Sequence, residues 1–154
     1  MKLVDTHTHI YGEKYDDDFS EVISRAEKEL EFIISIGYDL ESSKKGVELA
    51  KKYDFVLIKM ATDEPKVVAI GEIGLDYHWM EDPKEIQEEV FRKQLEIARK
   101  AKLPVVIHTR DALEDTLRIL SEYQDIGGIL HCFPGSYDSA KPLLDRYYIG
   151  VAGI

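Results

Sequence analysis

Pro104-Val105-Val106-Ile107-His108-Thr109-Arg110 places an unbroken apolar run directly before a histidine and an arginine. A run this short, with no polar residue alternating through it, is the pattern of a strand covered by helices on both faces. Further strand candidates lie at Leu3–Ile10, Phe32–Gly37, Phe55–Val56, Val67–Gly71, Ile129–Cys132 and Tyr148–Val151, most of them continuous Val/Ile/Leu runs. Several of the intervening segments have helical period. Phe19, Val22, Ile23, Ala26 and Leu30 make one apolar stripe, Ile86, Val90, Phe91, Leu95 and Ala98 a second, and Leu113, Thr116, Leu117 and Leu120 a third. Asp82-Pro83 with Glu85, and Asp111 with Glu114, read as capping boxes that open the second and third helices. Strands alternating with amphipathic helices predict βα units and a parallel sheet.

One connection breaks this rhythm. After Phe55-Val56 the chain reads Leu57-Ile58-Lys59-Met60-Ala61-Thr62-Asp63-Glu64-Pro65, and the next strand begins almost at once. A parallel crossover normally needs a dozen residues or more, so Leu57–Asp63 reads as the tail of a crossover helix whose beginning is missing.

The 154 residues are 44% hydrophobic, enough for one core-forming domain over 1–154, but a complete eight-fold α/β barrel typically takes about 250. Thirty acidic against 20 basic residues give a net charge of −10, which argues against a broad basic nucleic-acid face or an anionic membrane surface. A single cysteine rules out an internal disulfide, a zinc ribbon and a redox pair. No stretch approaches the ~20 apolar residues of a membrane span and no signal peptide opens the chain. A cytoplasmic protein with no obligate protein partner is expected. The chain has no asparagine and three glutamines, a bias associated with hot environments.

The chemistry lies at the strand ends. Asp5, His7 and His9 alternate along the first strand and share one side, where two imidazoles at i, i+2 can close on one ion. Val67–Gly71 runs into Glu72, Pro104–Ile107 into His108, and Gly128-Ile129-Leu130 into His131. Each residue alone reads as well as a satisfied core or rim group. Together, four of the five histidines and a carboxylate lie at the carboxyl ends of strands, where parallel α/β folds build active sites. Such a set suits two divalent cations and points to hydrolysis. Arg110 is placed to clamp a phosphate, or to pair with Asp111 or Glu114. Asp5 is a candidate carboxylate partner for a ligating imidazole. Tyr77, His78 and Trp79 form a loop near the site, suited to stacking on a nucleobase or to rim packing. Cys132 is expected to face the core, and Tyr147 and Tyr148 to pack.

Four motifs in order resemble the TatD-like metal-dependent hydrolases of the amidohydrolase superfamily: Asp5-Thr6-His7-Thr8-His9, Ala69-Ile70-Gly71-Glu72-Ile73-Gly74-Leu75-Asp76-Tyr77, Pro104 through Ala112, and Gly128-Ile129-Leu130-His131-Cys132-Phe133. The resemblance implies a TIM-type barrel acting as a deoxyribonuclease at DNA ends. It implies that His7 and His9 bind one metal, that Glu72 bridges, and that His108 and His131 hold the second, with Zn, Mg, Mn, Ni or Fe as the ions. It places Arg110 near the scissile phosphate and makes Asp76 and Tyr77 substrate contacts. Two family features are lacking: a Gly-Val-His-Pro-His-type motif closing the third strand, and a Glu-Thr-Asp-type motif on the last. The fold expected is therefore an incomplete α/β barrel of about seven strands, missing part of its third crossover and its carboxyl-terminal portion. Two other functions fit the same residues: hydrolysis of a cyclic amide or ester, and an inactive metal-binding fragment.

Overall fold

A computed structural model describes residues 2–11, 15–37, 40–59 and 67–151. Among them are seven strands, most of them joined by helices, and the chain divides into two compact units, Met1–Gly71 and Glu72–Ile154.

In the first unit, β1 (Leu3–Thr8), β2 (Leu30–Ile36), β3 (Val56–Lys59) and the opening of β4 (Val67–Asp76) pair in parallel, in chain order. α1 (Phe19–Glu29) joins β1 to β2, and α2 (Leu40–Lys52) joins β2 to β3. Ile33 through Ile36 are all buried, the lack of alternation expected of a strand covered on both faces. Ile10, Ile23, Ile33, Ala50, Val56 and Ile58 form the core of this unit. No apolar stripe announced α2, because its fully buried positions are Ser42, Ser43, Gly46 and Ala50, with the larger Val47 and Leu49 only partly buried against the core. Small residues let the helix approach closely: a Cβ on Gly37 would sit 2.1 Å from Ser43 Oγ.

Leu57–Lys59 correct the sequence expectation. They continue β3 instead of forming a helix tail, with Leu57, Ile58 and Lys59 opposite Ile34, Ser35 and Ile36. Val56-Leu57-Ile58 is an apolar run with β-branched ends, and burial of Ile58 to 2% exposure favours the strand. The rest of the expected helix tail, Met60–Asp63, lies outside the described residues. Only residues 60–66 separate β3 from β4, still fewer than a helical crossover needs.

The second unit contains the remainder of β4, then α3 (Lys84–Ala101), β5 (Val105–Arg110), α4 (Leu113–Glu122), β6 (Gly128–Leu130), the short α5 (Tyr137–Ala140) and β7 (Tyr147–Ile149). β5, β6 and β7 pair in parallel, again in chain order. Phe91 and Leu95 of α3, Ile119 and Leu120 of α4, Leu75, Ile107 and Leu130 are all fully buried. Parallel strands taken in sequential order and spaced by helices are the arrangement of a TIM-type barrel, incomplete here at seven described strands.

Several local expectations are corrected. β4 continues past Gly71 to Asp76, so Glu72 lies inside the strand rather than at its end. Neither capping box forms: the residues before α3 and α4 are Pro83 and Ala112, and neither helix has a side-chain cap. Asp111 lies one residue too early, at φ 53°, with its carboxylate facing His78. β6 stops at Leu130, and Cys132 beyond it takes φ 44° and is exposed, not core. Tyr147 is buried as expected, but Tyr148 is 81% exposed.

Candidate active site

At the end of β1 the two histidines meet. His7 Nε2 and His9 Nε2 are 3.1 Å apart, with the rings edge to face. The β1–β2 register shifts between Asp5 and Thr8, an irregularity of the kind that re-aims side chains at strand ends. Asp5 Oδ1 accepts the backbone N–H of His7 at 3.0 Å, so this carboxylate secures the backbone of His7. His9 Nδ1 lies 3.0 Å from the carbonyl oxygen of Ile36, to which the Tyr11 hydroxyl also donates. The Tyr11 hydroxyl also lies 3.0 Å from Nδ1; in the tautomer that donates Nδ1–H to the carbonyl, Nε2 presents a lone pair toward His7. Two nitrogens 3.1 Å apart span the edge that one ion would need with bonds of about 2.0–2.1 Å and an angle of about 100°. The donor pair therefore fits a divalent metal.

The second unit builds its cluster on one face of β4. From Glu72 to Asp76 burial alternates with period two: Ile73 and Leu75 are buried, while Glu72, Gly74 and Asp76 share the more open face. Glu72 Oε1 is 3.3 Å from His108 Nδ1 and 3.9 Å from His131 Nε2. His108 Nε2 faces Asp76 Oδ2 at 3.0 Å. His108 thus has a carboxylate at each ring nitrogen. The hydrogen bond to Glu72, opposed by burial and reinforced by Asp76, holds its pKa above the usual histidine range. For Asp76, burial pushes the carboxyl upward, but bonds from His108 and from the Trp79 and His78 backbone amides leave it below the ordinary value. Cys132 Sγ lies 3.0 Å from His131 Nε2, a neighbour the expected core placement did not anticipate.

The remaining sequence candidates occupy the loop after β4. Tyr77 donates its backbone N–H to Arg110 O and its hydroxyl to Asp115 Oδ2, while Lys84 lies 4.1 Å over its ring. Burial and the Asp115 hydrogen bond push the Tyr77 phenol up to about 12. These contacts use Tyr77 to bind β4, β5, α3 and α4 together. Arg110 is exposed, and its guanidinium lies 5.4 Å from the Trp79 ring centre. Neither Asp111 nor Glu114 pairs with it among the described contacts. Gln87, which sequence reasoning did not single out, holds Asp76 at both backbone groups: its Oε1 accepts Asp76 N–H at 2.9 Å and its Nε2 donates to Asp76 O at 3.0 Å.

The model of the TatD related DNase family matches residues 4–62 and 57–154, two stretches that overlap where β3 leads into the short connection. The uncharacterized metal-dependent hydrolase YabD of Bacillus subtilis is 41% identical over 175 residues, spanning 98% of this chain and 69% of YabD. That alignment is longer than the chain's 154 residues, so YabD has residues inside the matched span with no counterpart here. The 3'-5' ssDNA/RNA exonuclease TatD of Salmonella typhimurium is 30% identical over 176 residues, spanning 98% of this chain and 67% of the exonuclease. The crystal structure of YJJV, a TatD homologue from Escherichia coli, superposes with a TM-score of 0.82 at 26% identity, covering 96% of this chain and 66% of that one. The chain therefore spans about two thirds of the length of these relatives. With the family pattern running from residue 4 to residue 154 over a fold shared with a solved homologue, this chain belongs to the TatD family of metal-dependent hydrolases.

Proposed function

We propose that this protein, acting as one barrel domain over residues 1–154, hydrolyses phosphodiester bonds at DNA ends with the help of two divalent metal ions. His7 and His9 would hold one ion and His108 and His131 the other, with the Glu72 carboxylate shared between them. Zn, Mg, Mn, Ni and Fe all suit this imidazole and carboxylate set. The observation that carries the reading is the 3.1 Å approach of His7 Nε2 and His9 Nε2, with His9 Nδ1 held on the Ile36 carbonyl. Divalent cations held by these residues would supply Lewis-acid activation of water and offset charge on the attacked phosphate.

The chain's own groups do the positioning. Glu72 and Asp76 orient the His108 ring from its two sides. Arg110 offers a planar pair of N–H donors to phosphate oxygens, the geometry a guanidinium matches best. Asp76 and Tyr77 serve the substrate side by anchoring the loop that follows β4. The 3'-5' ssDNA/RNA exonuclease activity in the name of the Salmonella relative supports a nucleic-acid end as substrate. An end requires only a local grip, which accommodates a net charge of −10. No helix among the described residues is long and apolar enough to cross a membrane, and we place the activity in the cytoplasm with no obligate protein partner.

The test incubates the purified protein with end-labelled single-stranded DNA and each candidate metal, followed by metal analysis. Stepwise shortening that is abolished in His7→Ala and Glu72→Ala is expected. Stoichiometric metal with no nuclease activity, but turnover of a cyclic amide or ester, would overturn the substrate class; failure to bind metal would overturn the site.

A further inference from the structure

Trp79 is the only tryptophan in the chain and leaves 66% of its surface open. A single exposed aromatic needs no explanation by itself, but this one is braced. Asp76 Oδ1 accepts the backbone N–H groups of His78 at 2.9 Å and Trp79 at 3.2 Å, while its Oδ2 faces His108. The His78 ring stands edge-on to the indole at 4.8 Å, and its Nδ1 is 3.1 Å from Asp111 Oδ2. Arg110 lies 5.4 Å from the indole centre. The other arginines of this unit, Arg92, Arg99, Arg118 and Arg146, each pair with at least one carboxylate. Among the described arginines Arg110 alone forms no ion pair. A guanidinium with no carboxylate partner and a braced, open indole thus stand together, one carboxylate away from a candidate metal ligand.

We infer that Trp79 and Arg110 form a grip for the terminal nucleotide of a single strand, the indole stacking on the base and the guanidinium meeting the phosphate. The inference rests on the proposed nuclease reading and assigns that site its substrate form. Stacking requires an unpaired base, so a frayed or single-stranded end binds and a fully paired end does not. It tolerates any base, because every base presents a π-face. The same contact places the neighbouring phosphodiester on the side of the loop that Asp76 ties to His108.

Because Trp79 is the sole indole, its fluorescence reports this position alone. The probes are a short phosphorothioate oligothymidylate, which resists hydrolysis, and an otherwise identical oligomer with abasic residues. The thymidylate is expected to quench Trp79 and bind roughly five- to 150-fold more tightly than the abasic oligomer. Trp79→Ala, followed by anisotropy of labelled oligomers, should erase that preference, and Trp79→Phe should restore part of it. Arg110→Ala should weaken both oligomers alike and flatten the salt dependence, since both retain phosphates. Equal affinity of wild type for the two oligomers, or an unchanged preference in Trp79→Ala, overturns the grip. Cleavage of ordinary single-stranded DNA by a protein that binds the thymidylate and abasic oligomers equally refutes the grip and leaves the nuclease reading standing. Base-dependent quenching without cleavage under any metal refutes the nuclease reading and leaves the grip standing.

Discussion

Replacing Gly74 with alanine tests how tightly β4 and β5 are set against each other at the candidate site. Gly74 has φ 146°, a conformation that side chains with a Cβ rarely adopt. An alanine Cβ there would lie 1.9 Å from the carbonyl oxygen of His108, 2.9 Å from its carbonyl carbon and 3.1 Å from its nitrogen. All three are backbone atoms, so no rotamer change relieves the overlap, and the strands must part by roughly 1.5 Å to restore an ordinary contact. Backbone strain of about 1–3 kcal/mol and overpacking of about 1–3 kcal/mol together predict a loss of roughly 2–6 kcal/mol. Glu72 and Asp76 flank Gly74 on the same face of β4, so parting the strands also draws both carboxylates away from the His108 ring. Urea denaturation followed by circular dichroism measures the first effect, and calorimetric metal titration the second. Gly150→Ala is the control: its Cβ would meet nothing closer than Leu130 O at 3.2 Å, and it should cost much less. A Gly74→Ala protein within about 0.5 kcal/mol of wild type, with unchanged metal affinity, would refute this account of the β4–β5 contact.

Three further outcomes are expected. His108 should titrate above 6.5 by NMR in metal-free protein, and Asp76→Asn should lower that value. Because the folded pKa is raised, the stabilisation from its two carboxylates is complete below pH 6.5 and disappears as pH rises through the folded value, while metal affinity falls about tenfold per pH unit below it as a proton must leave. Saturation with a bound divalent metal at about 100 times Kd should add about 2.7 kcal/mol to stability, seen as a higher Tm that chelator reverses and His9→Ala prevents. The absence of asparagine and the paucity of glutamine predict a Tm above the mesophilic range of ~45–65 °C in a thermal melt.

How much of this was legible depended on how far each signal reached along the chain. Strands such as Val67–Ile70 and Val105–Ile107 announced themselves because burial on both faces favours continuous apolar runs. α2 did not, because its fully buried positions are the small Ser42, Ser43, Gly46 and Ala50, and Val47 and Leu49 alone make no hydrophobic period. The expected capping boxes at Asp82 and Asp111 matched the motif by spacing alone. In the fold, the Asp111 carboxylate meets His78, 33 residues away, and the Asp82 carbonyl meets Gln87. Cys132 was misplaced because β6 ends two residues before it, and strand alternation no longer applies there.

The candidate site divides along the same line. The sequence alone determined that histidines and a carboxylate accompany successive parallel strands, and its motifs identified the family. That information is local: residue type and position along a strand dictate which edge a group occupies. Only the tertiary structure decided the partners of the two rings, because His9 Nδ1 meets the Ile36 carbonyl, and the Asp76 carboxylate that meets the His108 ring also anchors the Trp79 loop. Those partners lie 27 and 32 residues away for the two rings. Hydrogen bonds between groups so distant in sequence exist only once the strands carrying them have paired, so no reading of spacing reaches them.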